Sequence, residues 1–202
     1  MNIIYISPHY PPHYQQFVES LARHNVRVLG ITDQNEEQLP ESLRNALTGH
    51  YKVDQLGNYD QVLAAARFFE ENYGKIDRVE SHLEPWLELE AEIRKEHNVP
   101  GFKPEDIQFI KRKSHMKAVF EKAGVPHAKG IIIEDFEQCI NFINEVSYPV
   151  FIKPDIGVGA YDTYTIKNEV DLNEFFRVKQ DYDYYMEEYV EGDIESFDGL
   201  TD

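Results

Sequence analysis

The first hundred residues alternate short apolar runs with amphipathic segments, and this alternation limits the fold more than any other feature. Asn2–Ser7 is rich in β-branched residues and ends at a cluster of prolines, which is typical of a strand followed by a turn. Residues 15–24 then carry apolar side chains at helical spacing, and residues 26–31 form a second β-branched run. A strand, a helix and a strand in this order predict the start of a parallel sheet.

The same pattern continues to about residue 105. Further helices are expected at residues 40–47, 59–73 and 87–97, and further strands at 51–53 and 76–81. Residues 1–105 are therefore predicted to form one α/β domain of Rossmann-like type, with helices on both faces of a parallel sheet.

Residues 106–202 order their elements differently and are predicted to form a second domain. One basic helix over residues 106–123 should end at Gly124, because glycine commonly terminates helices. Strands are expected at 129–133, 149–153, 161–166 and 183–190, and helices at 136–146 and 171–178. Helices packed on one antiparallel sheet would make this half α+β.

The overall charge limits the partners of the chain. The 202 residues carry a formal net charge of −17, which argues against nucleic acid or an anionic membrane surface as a partner. No apolar run approaches the ~20 residues of a membrane helix, and the start MNIIYISPHY lacks the basic leader of a secretory signal. Cys139 is the only cysteine, which excludes an intrachain disulfide and favours a reduced, cytoplasmic compartment.

One basic stretch stands out within this acidic chain. Between Lys111 and Lys129 there are six Lys or Arg residues and a single acid, Glu121. Such a stretch favours an anionic ligand, although a charge run on its own is more often a solvated helix face.

The most informative stretch runs from Tyr148 to Ala160, YPVFIKPDIGVGA. Lys153 ends an apolar strand, where an unpaired ammonium would be costly to bury, and Gly157 and Gly159 follow it at once. Glycines let backbone N–H groups approach a phosphate, and the lysine adds a positive charge beside it. The stretch is neither a Walker A loop nor a dinucleotide fingerprint, because the sequence patterns of both are absent. Without its context it would be read as a hairpin turn.

Three motifs in order give the context: Lys113 followed by AGVP after ten residues, then YPVFIKPDIGVGA, then MEEYVEG. This set resembles the ATP-grasp superfamily over essentially the whole chain. The resemblance implies that residues 1–105 are the pre-ATP-grasp domain and that residues 106–202 are the N-terminal subdomain and hinge of an incomplete ATP-grasp domain. The segments IDRVESHLEPW and KRKSHMKAVFEKAGVP further resemble bacterial members described as carbamoyl-phosphate-synthase-like.

The resemblance assigns roles to particular residues. Lys113 and Lys153 would contact the ATP phosphates, with a solvated helix lysine as the plain alternative for Lys113. The residues of the flexible flap over the phosphates would be Gly157, Gly159 and Ala160.

The resemblance also assigns the adenine and ribose contacts. Met186 and Ile152 would sandwich the adenine ring, and core filling is the plain alternative for Met186. Glu195 would bind the ribose, although its spacing is looser than usual and Asp193 could serve instead. The hinge whose backbone meets the adenine edge would be Met186, Glu187, Glu188, Tyr189 and Val190.

Polar residues also follow two strands of the front domain, where ligands of open α/β sheets bind. They could hold the second substrate, and the histidines among them lack the spacing of a metal site. These residues are His9, His13, Glu80, His82 and Glu84.

The resemblance implies a ligase that activates a carboxylate as an acyl phosphate and then transfers it to an amine or a thiol. The expected ligands are small-molecule acid and amine substrates, ATP and Mg²⁺. A homodimer is one possible assembly. The family's Mg²⁺ ligands lie in the second half of the domain, so they are expected beyond residue 202. The sequence is therefore interpreted as a truncated fragment that is inactive alone.

Three other functions remain as alternatives. A non-catalytic nucleotide-sensing module would show the same motifs. A glycosyltransferase front domain is suggested by ISPHYPPH but leaves the later motifs unexplained. A nucleic-acid binder using Lys111–Lys129 conflicts with the net charge and with the lack of interleaved aromatic residues.

Overall fold

The computed structural model describes residues 1–193 and 195–196. The chain divides into two compact units, Met1–Ile107 and Gln108–Asp202. Each helix within the described residues is too short or too polar to cross a bilayer.

The first unit is built on a parallel sheet, as the alternating pattern predicts. Its four strands lie in the order β3-β2-β1-β4, and all the neighbouring pairs run parallel. The elements are β1 (Asn2–Ile6), α1 (Gln15–Arg23), β2 (Arg27–Thr32), α2 (Glu41–Ala46), β3 (Leu47–Lys52), α3 (Tyr59–Tyr73), β4 (Arg78–Glu80) and α4 (Leu87–Glu96).

Helices cover both faces of this sheet. Ile4 and Ile6 of β1 pack in one apolar cluster with Phe69 of α3, whereas Tyr5 points to the opposite face and packs with Val18 of α1. The period of two along β1 thus directs alternate side chains into two cores. This arrangement confirms the predicted α/β class.

The second unit contains an antiparallel sheet, which confirms the predicted α+β half. Its strands lie in the order β5-β8-β6-β7, and all the neighbouring pairs are antiparallel. The elements are α6 (Lys113–Lys122), β5 (Gly130–Ile132), α7 (Phe136–Val146), β6 (Val150–Pro154), β7 (Tyr164–Ile166), α8 (Glu169–Val178) and β8 (Tyr184–Glu188), preceded by α5 (Pro104–Lys111).

The single helix predicted over residues 106–123 is wrong. The structure has two helices there, α5 and α6, separated at Arg112, whose backbone is extended at φ −86° and ψ 120°. Residues 111–115, KRKSH, contain no apolar residue and no proline or glycine, so neither the periodicity nor a helix breaker marks the break in the sequence. Hydrogen bonds from a distant loop stabilise the new helix start, as described below.

Strand β3 is longer than the predicted strand at residues 51–53 and begins directly at the end of α2. Its sequence, LTGHYK, lacks a β-branched apolar run. Pairing with β2 creates the strand, because Gly49 and His50 align with Leu29 and Gly30.

The faces of the second sheet determine where its ligands can bind. Val150 and Ile152 are fully buried in a cluster that includes Phe142 of α7 and Phe175 of α8. Phe151 and Lys153 alternate with them, so they point to the opposite face. Strand register places Glu187 opposite Phe151 on that second face. Lys153 and Glu187 therefore share a face that is not the hydrophobic core.

Candidate functional site

A cavity of about 250 Å³ lies on the lysine-bearing face of β6. It brings together both lysines that the sequence singles out, although they are forty residues apart in the chain. Its lining consists of Lys113, Phe151, Lys153, Pro154, Gly157, Val158, Gly159, Ala160, Tyr161 and Thr163. Two ammonium groups and a glycine-containing loop at one concavity form a site suited to an anionic ligand.

Lys113 is the first residue of α6 and is oriented by the glycine loop. Its Nζ donates to the carbonyl oxygen of Gly157 at 3.0 Å and to that of Asp155 at 3.4 Å. Its backbone N–H donates to the same Asp155 carbonyl at 3.0 Å. The lysine is thus held against the loop through both its backbone and its side chain.

Asp155 connects this loop to the start of α6. Its carboxylate is fully buried and accepts the backbone N–H of Ser114 at 2.8 Å and the Ser114 hydroxyl at 3.0 Å. Arg112 donates Nη1 to the same carboxylate at 3.0 Å and to Asp183 at 2.9 Å. Asp155 therefore caps α6 from outside the helix, which satisfies an N–H group left unpaired at its first turn.

Lys153 is paired with a carboxylate from the neighbouring strand. Its Nζ donates to Oε1 of Glu187 in a short contact, and Lys117 of α6 places its Nζ 3.2 Å from Oε2 of the same residue. The three side chains are only 12–21% exposed. Their partial burial strengthens the pairing relative to a surface ion pair.

The loop that follows β6 adopts the conformation for which glycine is suited. Gly157 and Gly159 have φ values of +149° and +74°, at which the backbone of a residue with a side chain would be strained. Ala160 follows with a φ of +55°. These three predicted flap residues all line the cavity and are exposed.

The far end of the loop is tied down at Asp162. Its carboxylate accepts three tyrosine hydroxyls: that of Tyr164 at 2.5 Å, and those of Tyr182 and Tyr184 in shorter contacts. Burial alone would raise the pKa of Asp162, but the three hydrogen bonds outweigh it and lower the pKa. The loop is thereby anchored at Asp155 and at Asp162.

The structure contradicts the prediction that Met186 and Ile152 sandwich an adenine ring. Both side chains are fully buried, and both belong to the core cluster on the helix-covered face. The physical reason is the period of two in β6 and β8, which places these residues opposite to Lys153. Phe151 takes the exposed-face position instead and lines the cavity beside Lys153.

The remaining residues of the predicted hinge lie at the end of β8. The carboxylate of Glu188 accepts the backbone N–H of Lys129 at 2.8 Å, and the N–H of Glu188 donates to the Lys129 carbonyl at 3.0 Å. Tyr189 and Val190 follow the strand and are 46% and 68% exposed. Asp193 and Glu195, the two candidates for the ribose contact, are also exposed, and their roles stay predictions.

The described residues contain no group of three or more His, Cys, Asp or Glu side chains that could hold a metal ion. The Mg²⁺ ligands expected beyond residue 202 stay a prediction.

In the first unit, His9 contacts a residue at the end of a neighbouring strand. Its Nε2 lies 3.2 Å from the carboxylate of Asp33, just past β2. Burial lowers the pKa of His9, which outweighs the opposing effect of Asp33. His13 lies edge-on to Tyr14, with ring centroids 4.6 Å apart.

The other front-domain candidates gather at the end of β4. The ring of His82 packs edge-on against Phe17 at 4.6 Å and Tyr14 at 6.0 Å, so His13 and His82 share Tyr14 as a neighbour. Burial raises the pKa of Glu80, although Arg94 lies 3.8 Å away and opposes the shift.

The last candidate, Glu84, lies two residues after His82. Glu84 begins a short 3-10 helix, Glu84–Trp86. None of the five candidates lines the cavity that contains the two lysines, and their role towards a substrate stays a prediction.

Sequence reasoning missed four residues that shape the lysine site: Phe151, Asp155, Arg112 and Lys117. Two of them carried a usable signal. The alternation of side chains in β6 places Phe151 on the face of Lys153, and Lys117 lies one helical turn after Lys113. The contacts of Asp155 and Arg112 are tertiary and had no local signal.

Sequence comparison relates the second unit to a known family. The family described as carbamoyl-phosphate synthase L chain, ATP binding domain, matches residues 112–192. The C-terminal section of the carbamoyl phosphate synthase large chain from Methanopyrus kandleri is 23% identical over 109 residues, which cover 52% of this chain and 20% of that protein. The large chain from Agathobacter rectalis is 24% identical over 117 residues, covering 56% of this chain and 11% of that protein.

Solved structures share the fold over nearly the whole chain. An L-amino acid ligase from Bacillus licheniformis superposes with a TM-score of 0.68 and 18% identity, covering 95% of this chain and 44% of the ligase. The biotin carboxylase domain of Hydrogenobacter thermophilus 2-oxoglutarate carboxylase, in complex with MgADP and bicarbonate, superposes with a TM-score of 0.70 and 19% identity. The match covers 94% of this chain and 44% of that domain. N5-carboxyaminoimidazole synthetase from Staphylococcus aureus, complexed with ADP, superposes with a TM-score of 0.66 and 19% identity. The match covers 94% of this chain and 47% of the synthetase.

The chain spans less than half of the length of each of these relatives and structures. Within that span, the family match covers the strands, the loop and both lysines that form the cavity. Residues 112–192 thus match the ATP-binding domain of the carbamoyl-phosphate synthase large chain, and the fold over nearly the whole chain is similar to that of the ligase, synthetase and biotin carboxylase structures.

Proposed function

We propose that the chain binds ATP in the cavity formed by Lys113, Lys153 and the glycine loop. We further propose that it is the nucleotide-binding part of an ATP-dependent ligase that joins a carboxylate to an amine or a thiol through an acyl phosphate. The observation that carries the proposal is that two lysines from distant parts of the chain line one cavity.

The residues of the cavity have complementary roles in this proposal. The ammonium groups of Lys113 and Lys153 would neutralise phosphate oxygens, and N–H groups of the loop at Gly157 and Gly159 would donate to them. The ring of Phe151 would pack against the adenine, since it is the apolar surface adjoining Lys153 in the cavity.

The names of the structural neighbours support the ligase part. One is an L-amino acid ligase, one an N5-carboxyaminoimidazole synthetase with ADP, and one a biotin carboxylase domain with MgADP and bicarbonate. Each name is compatible with nucleotide-driven activation of a carboxylate or bicarbonate. The acid substrate would bind at the carboxyl edge of the first sheet, where Glu80 and His82 lie.

Titration with a non-hydrolysable ATP analogue, AMPPNP, tests the nucleotide site. Lys153→Met and Lys113→Met should each weaken binding about tenfold or more, because each removes a charged hydrogen-bond donor to phosphate. Lys167→Met is the matched control, since Lys167 is exposed on the same unit and outside the cavity. Absent binding by the wild type, or equal binding by Lys153→Met and Lys167→Met, would contradict the proposal.

A non-catalytic nucleotide-binding module is the second candidate. It would hold a nucleotide with the same two lysines and glycine loop, so the cavity alone does not separate it from a ligase. An assay for ADP formation by the purified chain, with and without carboxylate and amine substrates, separates the two. We expect no turnover from residues 1–202 alone, and dual-substrate-dependent turnover by a longer chain would support the ligase.

We also propose a cytoplasmic location and small-molecule partners. A homodimer is the assembly to test first, because the neighbouring biotin carboxylase domain is described as a dimer. Light scattering coupled to size-exclusion chromatography would distinguish one copy of 23.7 kDa from two.

A further inference from the structure

The pairing of one carboxylate with two lysines suggests a role for a residue outside the cavity lining. Glu187 accepts a hydrogen bond from Lys153 at Oε1 and forms an ion pair with Lys117 at Oε2, where the distance to Nζ is 3.2 Å. Lys117 lies on α6 one turn after Lys113, so its stem leaves the same face of the helix. Unlike Lys113 and Lys153, Lys117 is not among the residues that line the cavity.

The charge balance of this group decides how Lys153 can act. Glu187 and Lys153 alone would form a neutral pair, and an arriving phosphate would have to compete with the carboxylate for the ammonium group. With Lys117 included, the group carries a net charge of +1, and Glu187 keeps a partner when Lys153 turns to another anion. Partial burial makes this difference larger than at a fully exposed site.

We propose that Lys117 is a positioning residue for the nucleotide, which acts through the Glu187 carboxylate to keep Lys153 available to the phosphates. This inference rests on the proposed function of the cavity. It assigns Lys117 no direct contact with the ligand. The ion pairs among Lys117, Glu187 and Lys153 also connect α6 to β8, so both elements help to position Lys153 of β6.

The test is a double-mutant cycle on AMPPNP affinity. Lys117→Met should weaken binding about fivefold to tenfold in the wild-type background, since it removes a partly buried charge and leaves Glu187 to Lys153 alone. In the Lys153→Met background, Lys117→Met should weaken AMPPNP binding less than about twofold, because Lys153, through which Lys117 acts, is no longer present. Lys117→Arg, which keeps the ion pair, should restore most of the affinity.

Two controls separate this role from general charge and from stability. Lys122→Met removes an exposed charge from the same helix and should change the affinity less than about twofold. Adenosine, which lacks phosphates, should bind wild type and Lys117→Met equally if it binds at all. Equal loss of adenosine and AMPPNP affinity would indicate a structural defect and overturn the proposal.

The outcomes distinguish the two levels of inference. Wild-type affinity in Lys117→Met, together with weakened binding in Lys153→Met, would overturn the role of Lys117 and leave the nucleotide site intact. Additive losses in the double variant would also overturn it, because Lys117 would then act independently of Lys153. Failure of the wild type to bind AMPPNP would overturn the proposed function and this inference with it.

Discussion

The Asp155 carboxylate accepts the backbone N–H of Ser114 at 2.8 Å, so a residue of the glycine loop caps a helix whose second residue lies 41 positions earlier in the chain. The same carboxylate holds Arg112, the residue at which α5 and α6 separate. Asp155 thus holds the start of α6 through its carboxylate and Lys113 through its carbonyl oxygen.

Replacing Asp155 with alanine should destabilise the second unit by about 2–4 kcal/mol. The change removes the cap of α6 and leaves the Arg112 guanidinium without its buried partner. Urea unfolding of the variant measures the loss. Asp181→Ala, which removes an exposed carboxylate, should stay within about 0.5 kcal/mol of the wild type, and an equal loss in both would contradict the assigned role.

Phe151→Ala should weaken AMPPNP binding about tenfold, because it removes the aromatic surface beside Lys153. The paired variant is Met186→Leu, a change of similar volume in the core on the opposite face. It should leave the affinity unchanged. If Met186→Leu weakened binding more than Phe151→Ala, the reassignment of the adenine-facing residue would be wrong.

Gly130→Ala should cost about 1–3 kcal/mol of unfolding free energy. A Cβ at this position would lie 2.5 Å from the ring of the buried Tyr185, so the ring or β5 must shift. Thermal or urea unfolding gives the value. Gly192→Ala is the matched control, because a Cβ there meets open space, and comparable losses would refute a steric cause.

Cys139 should resist thiol reagents in the folded protein. It is fully buried in α7, and burial raises the pKa of its thiol to about 12, which removes the reactive thiolate at neutral pH. Labelling with a chromogenic disulfide at pH 8 should be slow in buffer and rapid in urea. Fast labelling without denaturant would show that α7 opens readily or that the thiol is exposed.

The His9 side chain should make the first unit less stable in mild acid. Burial lowers its pKa in the folded state below the unfolded value of about 6.5, so the unfolded chain binds the proton more readily. The contribution of His9 to the free energy of unfolding is complete above about pH 6.5, the pKa in the unfolded chain. It is lost as the pH falls from that value towards the lower pKa of the folded state. The free energy of unfolding, measured with urea, should therefore decrease less from pH 8 to pH 5 for His9→Gln than for the wild type.

The parts of the fold that depend on local periodicity could be predicted from the sequence. Helix α3 has the predicted bounds, since Val62, Ala66 and Phe69 repeat at helical spacing and face the core. The convergence of Lys113 and Lys153 on one cavity also followed from the ordered motifs. The role of each lysine towards a ligand stays a prediction.

The parts that depend on distant contacts could not be predicted. The break at Arg112 exists because Asp155 stabilises it, and strand β3 exists because β2 pairs with it. The burial of Met186, in contrast, follows from the alternation of side chains in β8, which places it on the face opposite to Lys153. The five front-domain candidates mark a sheet edge without defining one site.

The two carboxylates that anchor the glycine loop also limit how far it can travel. Only residues 156–161 lie between Asp155 and Asp162, and the seven steps from one anchor to the other measure at most about 25 Å when extended. With both ends fixed, the apex of the loop can reach no more than about 13 Å from its anchors. Any selectivity that this loop exerts is therefore confined to chemical groups inside that radius, and larger parts of a ligand must be discriminated elsewhere.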